Sequence, residues 1–205
     1  NKKIAQACLQ HNKKLLLEKP LSTNINDGQF IVKAFNKANL ALTIGQTLRY
    51  NPVINILKKE FKKIGTPYAF SATHRLEPST LPWLENPKLA GAGVVFHTAV
   101  HLFDALRYIT ELEVTRVHAS LFKIHNPNLE DLLTAKIEME NGLVGIVEAS
   151  KVTPARSARY EFTGSSGQLQ GDQVHGFVEC IQGMNVSEMF KGKPTPALLP
   201  LLKDW

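Results

Sequence analysis

The sequence has few cysteines and no long apolar run, and both absences narrow the class of protein. Its 205 residues contain only Cys8 and Cys180, too few for a disulfide framework or a four-cysteine zinc site. There is no run of about 18 apolar residues, and no charged start followed by an apolar stretch. We therefore expect a protein of the reducing cytoplasm that makes no membrane contact.

Concentrated charge of one sign is also missing. The formal net charge is +6, but the 24 lysines and arginines are spread along the chain. No stretch reaches the roughly five or six like charges that are typical of a nucleic-acid-binding arm. With 43% hydrophobic and 20% charged residues, the composition is that of a soluble globular protein without a nucleic-acid partner.

The first 50 residues carry the pattern of a strand, a helix and a second strand. Apolar runs at Lys14–Leu17 and Leu40–Ile44 flank a segment whose apolar residues recur at helical spacing. Such a βαβ unit requires a parallel sheet covered on both faces, and two strands are too few to complete one. We expect an α/β remnant, the end of a larger parallel sheet whose earlier strands are absent from this chain.

The pattern changes after residue 50. Strand-like segments joined by short turns follow a helix that Gly91 and Gly93 open, and Asn141-Gly142 is a strong hairpin signal. The pattern predicts an α+β domain, in which helices pack on one face of an open, mainly antiparallel sheet. The other face of this sheet is a candidate interface for a homo-oligomer. The strand-like segments are Glu113–Ile124, Leu132–Met139, Leu143–Lys151 and Arg159–Thr163.

Lys19 lies in the tripeptide Glu18-Lys19-Pro20, directly after the first predicted strand. Ligands of open α/β sheets bind beyond the carboxyl ends of the strands. A lysine there could hydrogen-bond a substrate hydroxyl or share its proton. The alternative interpretation is a surface lysine before a turn, which is common for this dipeptide.

His97, His101 and Asp104 follow one another at steps of four and three residues, so a helix would place them on one face. Two histidines and a carboxylate in this arrangement could bind zinc, but Thr98 stands where the usual helical zinc signature has a glutamate. Buried histidines with satisfied hydrogen bonds are a third interpretation. Trp83, in a proline-rich loop, is either a lid residue or a packed aromatic.

Four segments in order resemble the glucose-fructose oxidoreductase and inositol dehydrogenase family, often called the Gfo/Idh/MocA family. Lys14–Pro20 resembles its strand and Glu-Lys-Pro signature, and Arg49–Pro52 its Arg-aromatic-x-Pro junction between domains. Gly91–Asp104 is similar to its glycine-led helix ending in His-x-x-Asp, and Gly164–Leu169 to its Gly-x-x-Gly-x-Leu sheet turn.

The resemblance implies an NAD(P)-dependent oxidoreductase that transfers hydride between NAD or NADP and a sugar, polyol or related small molecule. Lys19 and His101 would be catalytic, with the histidine as acid or base beside the nicotinamide. Glu18, Lys19, Pro20 and Arg49 are then the candidates for binding the cofactor. Trp83, His97 and Asp104 are the candidates for binding the substrate, and no metal is expected. The family often has the Lys-Pro bond in cis.

The sequence departs from the family in three ways. His97 stands where the family commonly has an acidic residue, Ala99 stands where it usually has glycine, and the Gly-x-Gly-x-x-Gly fingerprint for the pyrophosphate is not in this sequence.

We expect a fragment: residues 1–50 end a dinucleotide-binding Rossmann domain, and residues 51–205 form most of a substrate and oligomerisation domain, truncated at its C-terminus. Such a fragment should bind cofactor poorly and be inactive alone. The alternatives are a catalytically silent relative that acts as a ligand sensor or interaction protein, and a zinc-dependent hydrolase.

Overall fold

The computed structural model describes residues 1–193 and 196–205. The described residues form six α-helices and ten strands. The helices are α1 (Lys2–Gln10), α2 (Ile25–Ala38), α3 (Pro52–Glu60), α4 (Pro87–Ala90), α5 (Val100–Thr110) and α6 (Leu198–Asp204). The strands are β1 (Leu15–Leu17), β2 (Leu42–Ile44), β3 (Pro67–Arg75), β4 (Val114–Phe122), β5 (Leu132–Met139), β6 (Val144–Ser150), β7 (Ser157–Gly164), β8 (Gly167–Asp172), β9 (Phe177–Gln182) and β10 (Asn185–Lys191).

The contacts divide the chain into two units, residues 1–47 with 199–205 and residues 48–198. The sequence predicts a boundary after residue 50 and assigns the last residues to the second domain. That boundary stays a prediction.

The first unit contains the predicted parallel pair. β1 and β2 pair in parallel, with Leu15 opposite Leu42 and Leu17 opposite Ile44. Asn24 caps the start of α2 by accepting a hydrogen bond from the Asp27 amide, which satisfies one of the free N–H groups of the first turn. The apolar faces of α1 and α2 then meet the strands in a small core of Ala5, Leu15, Leu17, Ile31 and Phe35.

The second unit is built on an eight-stranded sheet with the order β10-β9-β8-β7-β3-β6-β5-β4. Its pairs are antiparallel except β3 with β6, which confirms the predicted mainly antiparallel sheet. The predicted hairpin joins β5 to β6, and both Asn141 and Gly142 have the positive φ that such a turn requires.

Helices α3 and α5 cover one face of this sheet. Ile54 and Leu57 of α3 and Leu102 and Leu106 of α5 are fully buried, in one cluster with sheet residues such as Val147. Burying each of these large apolar side chains contributes about 1.5–3 kcal/mol. The core that holds α5 against the sheet therefore also fixes the position of His101.

By length and composition alone, the stretch Pro87–Thr110 could cross a membrane, with a mean hydropathy of 1.4 over its most apolar window. This is weak evidence for a span, because the core helix of a soluble protein meets the same criteria. Here α5 supplies Leu102 and Leu106 to the core of the second unit.

The segment that leads into α5 differs from the predicted regular helix. Residues Val95–Ala99 form a π-helical turn, in which the Val100 amide bonds to the Val95 carbonyl. His97 lies in this wider turn, whereas His101 is the second residue of α5. The spacing of four and three residues therefore does not describe one regular helical face. Single π-helical turns are frequent at functional sites.

Candidate functional site

In the first unit, Glu18-Lys19-Pro20 directly follows β1, as predicted, and the Lys19-Pro20 peptide bond is cis. Because β1 and β2 are parallel, their carboxyl ends lie at the same edge, and the Gly45 amide donates to the Leu17 carbonyl at 2.7 Å. Glu18 is exposed, and Lys19 and Pro20 are partly buried.

Gln46 lies at the same edge, directly after Gly45, and was not predicted from the sequence as a site residue. Its Oε1 is buried and has no hydrogen-bond partner among the described residues. A buried amide oxygen without a donor costs about 1–3 kcal/mol, so this position suits a ligand that carries an N–H or O–H group. Its place after the second predicted strand was the signal that could have found it.

In the second unit, Arg49 and Asp104 are bonded to each other. Arg49 Nε donates to Asp104 Oδ2 at 2.9 Å, and Arg49 Nη2 donates to Asp104 Oδ1 at 2.7 Å. These hydrogen bonds outweigh desolvation and raise the pKa of the Arg49 guanidinium above its ordinary value. The guanidinium also lies 5.3 Å from the centre of the Tyr108 ring. The predicted roles of Arg49 in cofactor binding and Asp104 in substrate binding stay predictions, and the structure shows their mutual pairing.

Trp83 and His97 also come together. Their ring centroids are 5.6 Å apart, with the planes at 74°, an edge-to-face contact. The Trp83 residue is 45% exposed, so its ring is only partly packed. A partly exposed indole against a histidine can bury the apolar face of a sugar or polyol, which fits the predicted substrate role of both residues.

His97 lines a cavity of about 100 Å³ in the second unit, together with Gly93, His125, Glu130, Asp131 and Lys151. His125, Glu130, Asp131 and Lys151 were not predicted from the sequence as site residues. They lie in the loop before β5 and directly after β6, and no short-range spacing connects them to His97.

Glu130 and Asp131 stabilise the backbone segments that line this cavity. Glu130 Oε1 accepts from the amides of Gly93 at 2.7 Å and Val95 at 3.4 Å, where the π-helical turn that precedes α5 begins. Asp131 accepts from the amides of Ile124, His125 and Asn126 at 2.7–2.9 Å. Burial alone would raise the pKa of the Asp131 carboxyl, but these hydrogen bonds hold it below its ordinary value. Both carboxylates are thus used to order the backbone.

Lys151, which lines the same cavity, is partly buried. Burial lowers the pKa of its ammonium group, and attraction by Glu77 opposes part of that effect. Its backbone amide donates to the Asp131 carbonyl at 2.8 Å, which fixes the start of the side chain beside the cavity.

A zinc site has no geometric support in the structure. Among residues 1–193 and 196–205, no group of three or more histidine, cysteine, aspartate or glutamate side chains could hold a metal ion. Both oxygens of Asp104, the carboxylate of the proposed ligand set, accept from Arg49 instead.

Comparisons with known proteins agree with the fold. Residues 1–46 match the family model described as an oxidoreductase family with an NAD-binding Rossmann fold, and residues 60–170 match the model of the GFO/IDH/MocA C-terminal domain.

Three proteins illustrate the similarity. The chain is 29% identical over 201 residues to the uncharacterized oxidoreductase YrbE of Bacillus subtilis strain 168, covering 94% of this chain and 57% of that protein. It is 27% identical over 176 residues to the myo-inositol 2-dehydrogenase of Thermotoga maritima, covering 82% and 52%. The crystal structure of an inositol dehydrogenase homolog from Azotobacter vinelandii complexed with NAD⁺ has a TM-score of 0.84 at 19% identity, covering 97% and 56%.

These matches establish a family but not a whole enzyme, since the chain spans little more than half the length of the two curated relatives. The C-terminal domain model alone accounts for more than half of the 205 residues, and the Rossmann model accounts for most of the first unit. The chain belongs to the GFO/IDH/MocA family.

Proposed function

We propose that the protein containing this chain is an NAD(P)-dependent oxidoreductase that transfers hydride between a nicotinamide and a sugar, polyol or related carbonyl compound. The observation that carries the proposal is the family match, with Glu-Lys-Pro at the end of β1 and His101 on α5 in their expected elements. The relatives support it, because one is named a myo-inositol 2-dehydrogenase and another was solved with NAD⁺. We expect the protein to act in the cytoplasm.

The residues at the edge of β1 and β2 fit one end of a nicotinamide. The buried Oε1 of Gln46 could accept a hydrogen bond from a carboxamide N–H, and Lys19 and Glu18 lie at the same edge. The nicotinamide, when bound, supplies the hydride acceptor or donor. The glycines that would hold its pyrophosphate are not part of this sequence.

The chemical step that we assign to this chain is the transfer of the proton of the substrate hydroxyl. Removing hydride from an alcohol carbon requires a base for the hydroxyl proton, and a neutral imidazole suits that role near neutral pH. We assign it to His101, which the buried face of α5 holds in place. As the family resemblance implies, we also assign a catalytic role to Lys19 of the first unit, as a hydrogen-bond donor to a substrate hydroxyl.

The substrate site in the second unit is the cavity beside His97 and Trp83. The aromatic pair offers an apolar face, and the polar side chains of the cavity offer donors and acceptors for hydroxyl groups. This combination is typical of sites for sugars and polyols.

The experiment that tests the proposed function is an assay of the full-length protein with NAD and with NADP against a panel of sugars and polyols. We expect nicotinamide reduction with at least one of them. Cofactor binding without turnover on any member of the panel would contradict the proposal.

We also propose that the protein is a homo-oligomer through the face of the eight-stranded sheet that α3 and α5 leave uncovered. Ile146 of β6 is 61% exposed, and Phe122 of β4 is 44% exposed. Ile146 lies opposite Lys136 and next to the fully buried Val147, so it points away from the helices. An exposed isoleucine in the centre of a sheet favours burial against a second copy.

A further inference from the structure

A second cavity lies beside the one that His97 lines. It has a volume of about 340 Å³ and is lined by the segment from Leu76 to Leu81, by Lys151 and by Arg156. Pro78, Ser79 and Lys151 also line the cavity of His97. All of these residues belong to the second unit. Lys151 therefore stands between two neighbouring cavities.

The second cavity has an excess of positive charge, which comes from Lys151. Arg156 is paired with Glu77 through two hydrogen bonds, of which that from Nε to Oε2 measures 2.7 Å. This pair is neutral as a whole, so the attraction of Glu77 offsets the charge of Lys151 only in part. Among the residues that the structure describes, none accepts a hydrogen bond from the Lys151 ammonium or forms an ion pair with it.

The acidic residues of the neighbouring cavity do not pair with the Lys151 ammonium. Both oxygens of Asp131 accept from backbone amides, and Glu130 Oε1 accepts from the amides of Gly93 and Val95. Their negative charge is thus balanced mainly by N–H dipoles of the backbone. The Lys151 ammonium keeps donors for a ligand.

A half-buried ammonium has lost part of its hydration and gains more from an anionic partner than an exposed lysine does. The hydroxyl groups of Ser79 and Thr80 line the same cavity and can add further donors. A carboxylate or a phosphate, each with several acceptor oxygens, matches this set of donors.

We propose that the cavity between residues 76–81, Lys151 and Arg156 binds an acidic group of the substrate, either a carboxylate or a phosphate. Lys151 is the anchor and so sets specificity for acidic sugars over neutral ones. The inference rests on the proposed function, because the acidic group belongs to the sugar or polyol whose other end lies beside His97. It narrows the substrate class to sugar acids or sugar phosphates.

The test is calorimetric titration of the purified protein, without cofactor, with glucose, glucuronate and glucose 6-phosphate. We expect at least one of the two acids to bind about ten-fold or more tightly than glucose, and that difference equals about 1.4 kcal/mol. Lys151→Gln should abolish the preference, and Lys151→Arg should retain it. The matched control is Lys59→Gln, which removes an exposed lysine on α3 and should leave the preference unchanged.

The outcomes separate this inference from the proposed function. Equal binding of all three probes, no binding of either acid, or a preference that survives in a folded Lys151→Gln protein would overturn the inference. Turnover of neutral polyols without a preference for acids would refute the inference and leave the proposed function standing. A preference for acids in a protein that never reduces a nicotinamide would support the binding site for an acidic group and contradict the proposed oxidoreductase function.

Discussion

At the scale of single residues, a buried carboxylate is stabilised by specific hydrogen-bond donors. Asp172, at the end of β8, is fully buried and accepts from the amides of Val174, His175 and Ala158 at 2.8–3.3 Å. It also accepts from the His175 ring at 2.9 Å. Burial alone would raise the pKa of the Asp172 carboxyl, but these hydrogen bonds hold it below its ordinary value. The carboxylate thus organises the turn between β8 and β9.

Asp172→Asn should lower the free energy of unfolding by about 2–3 kcal/mol at neutral pH, because an amide cannot accept all of these hydrogen bonds. The folded pKa is lowered, so this contribution is complete above the unfolded pKa of about 3.9 and is lost as the pH falls through the folded value. Urea titrations from pH 7 downward should therefore show wild type and variant converging below about pH 4.

Glu161→Gln removes an exposed carboxylate from the neighbouring strand β7 and is the control. A constant difference between Asp172→Asn and wild type across the whole pH range would show that its charge is not the cause.

The candidate site shows what residue patterns can and cannot predict. Lys19 and His101 were found because each lies in a short local motif. Glu130 and Lys151 were missed because they reach the cavity of His97 through loops, and Glu130 meets Gly93 across 37 residues. Contacts of this kind depend on how the sheet is assembled and leave no periodicity in the sequence.

At the scale of elements, the two continuous apolar strands and the helix between them were predicted, and so was the hairpin between β5 and β6. Strands β9 and β10 were not predicted. β10 is an edge strand with little burial on either side, so it lacks the alternation that identifies a strand. The parallel pairing of β3 with β6 was also missed, since it joins segments about 75 residues apart.

Gly93 shows why the entry to α5 needs glycine. A Cβ at this position would overlap the Glu130 carbonyl, and the Val94 amide bonds to that same carbonyl at 2.9 Å. Gly93→Ala should therefore destabilise the protein by about 1–3 kcal/mol, as overpacking does. Thermal unfolding followed by circular dichroism measures the effect as a lowered Tm.

Gly28→Ala is the opposite case, because Gly28 lies within α2 and a Cβ there would make only ordinary contacts at 3.8 Å. We expect an unchanged or raised Tm, since alanine favours the helix by up to about 1 kcal/mol. Equal effects of the two substitutions would show that the contact with Glu130 does not determine the role of Gly93.

At the scale of the whole molecule, the uncovered face of the eight-stranded sheet is the proposed oligomer interface. Ile146→Glu places a charge on that face and should shift the protein toward monomers in analytical ultracentrifugation.

Val117→Glu is the matched control, since Val117 is 52% exposed but lies opposite the buried Ile137, on the helix-covered side of the sheet. It should leave the oligomeric state unchanged. A wild-type protein that sediments as a monomer, or an Ile146→Glu protein that sediments like wild type, would exclude this interface.

The central claim, that His101 handles the proton in a hydride transfer, is tested most directly by the kcat of the full-length His101→Asn protein on a substrate found in the polyol and sugar panel. We predict a loss of about 10²–10⁴ in kcat, the usual contribution of a general acid or base, with Tm unchanged within a few degrees. His11→Asn, at an exposed residue directly after α1, should keep wild-type kcat. A His101→Asn protein whose kcat stays within a few-fold of wild type would contradict the account.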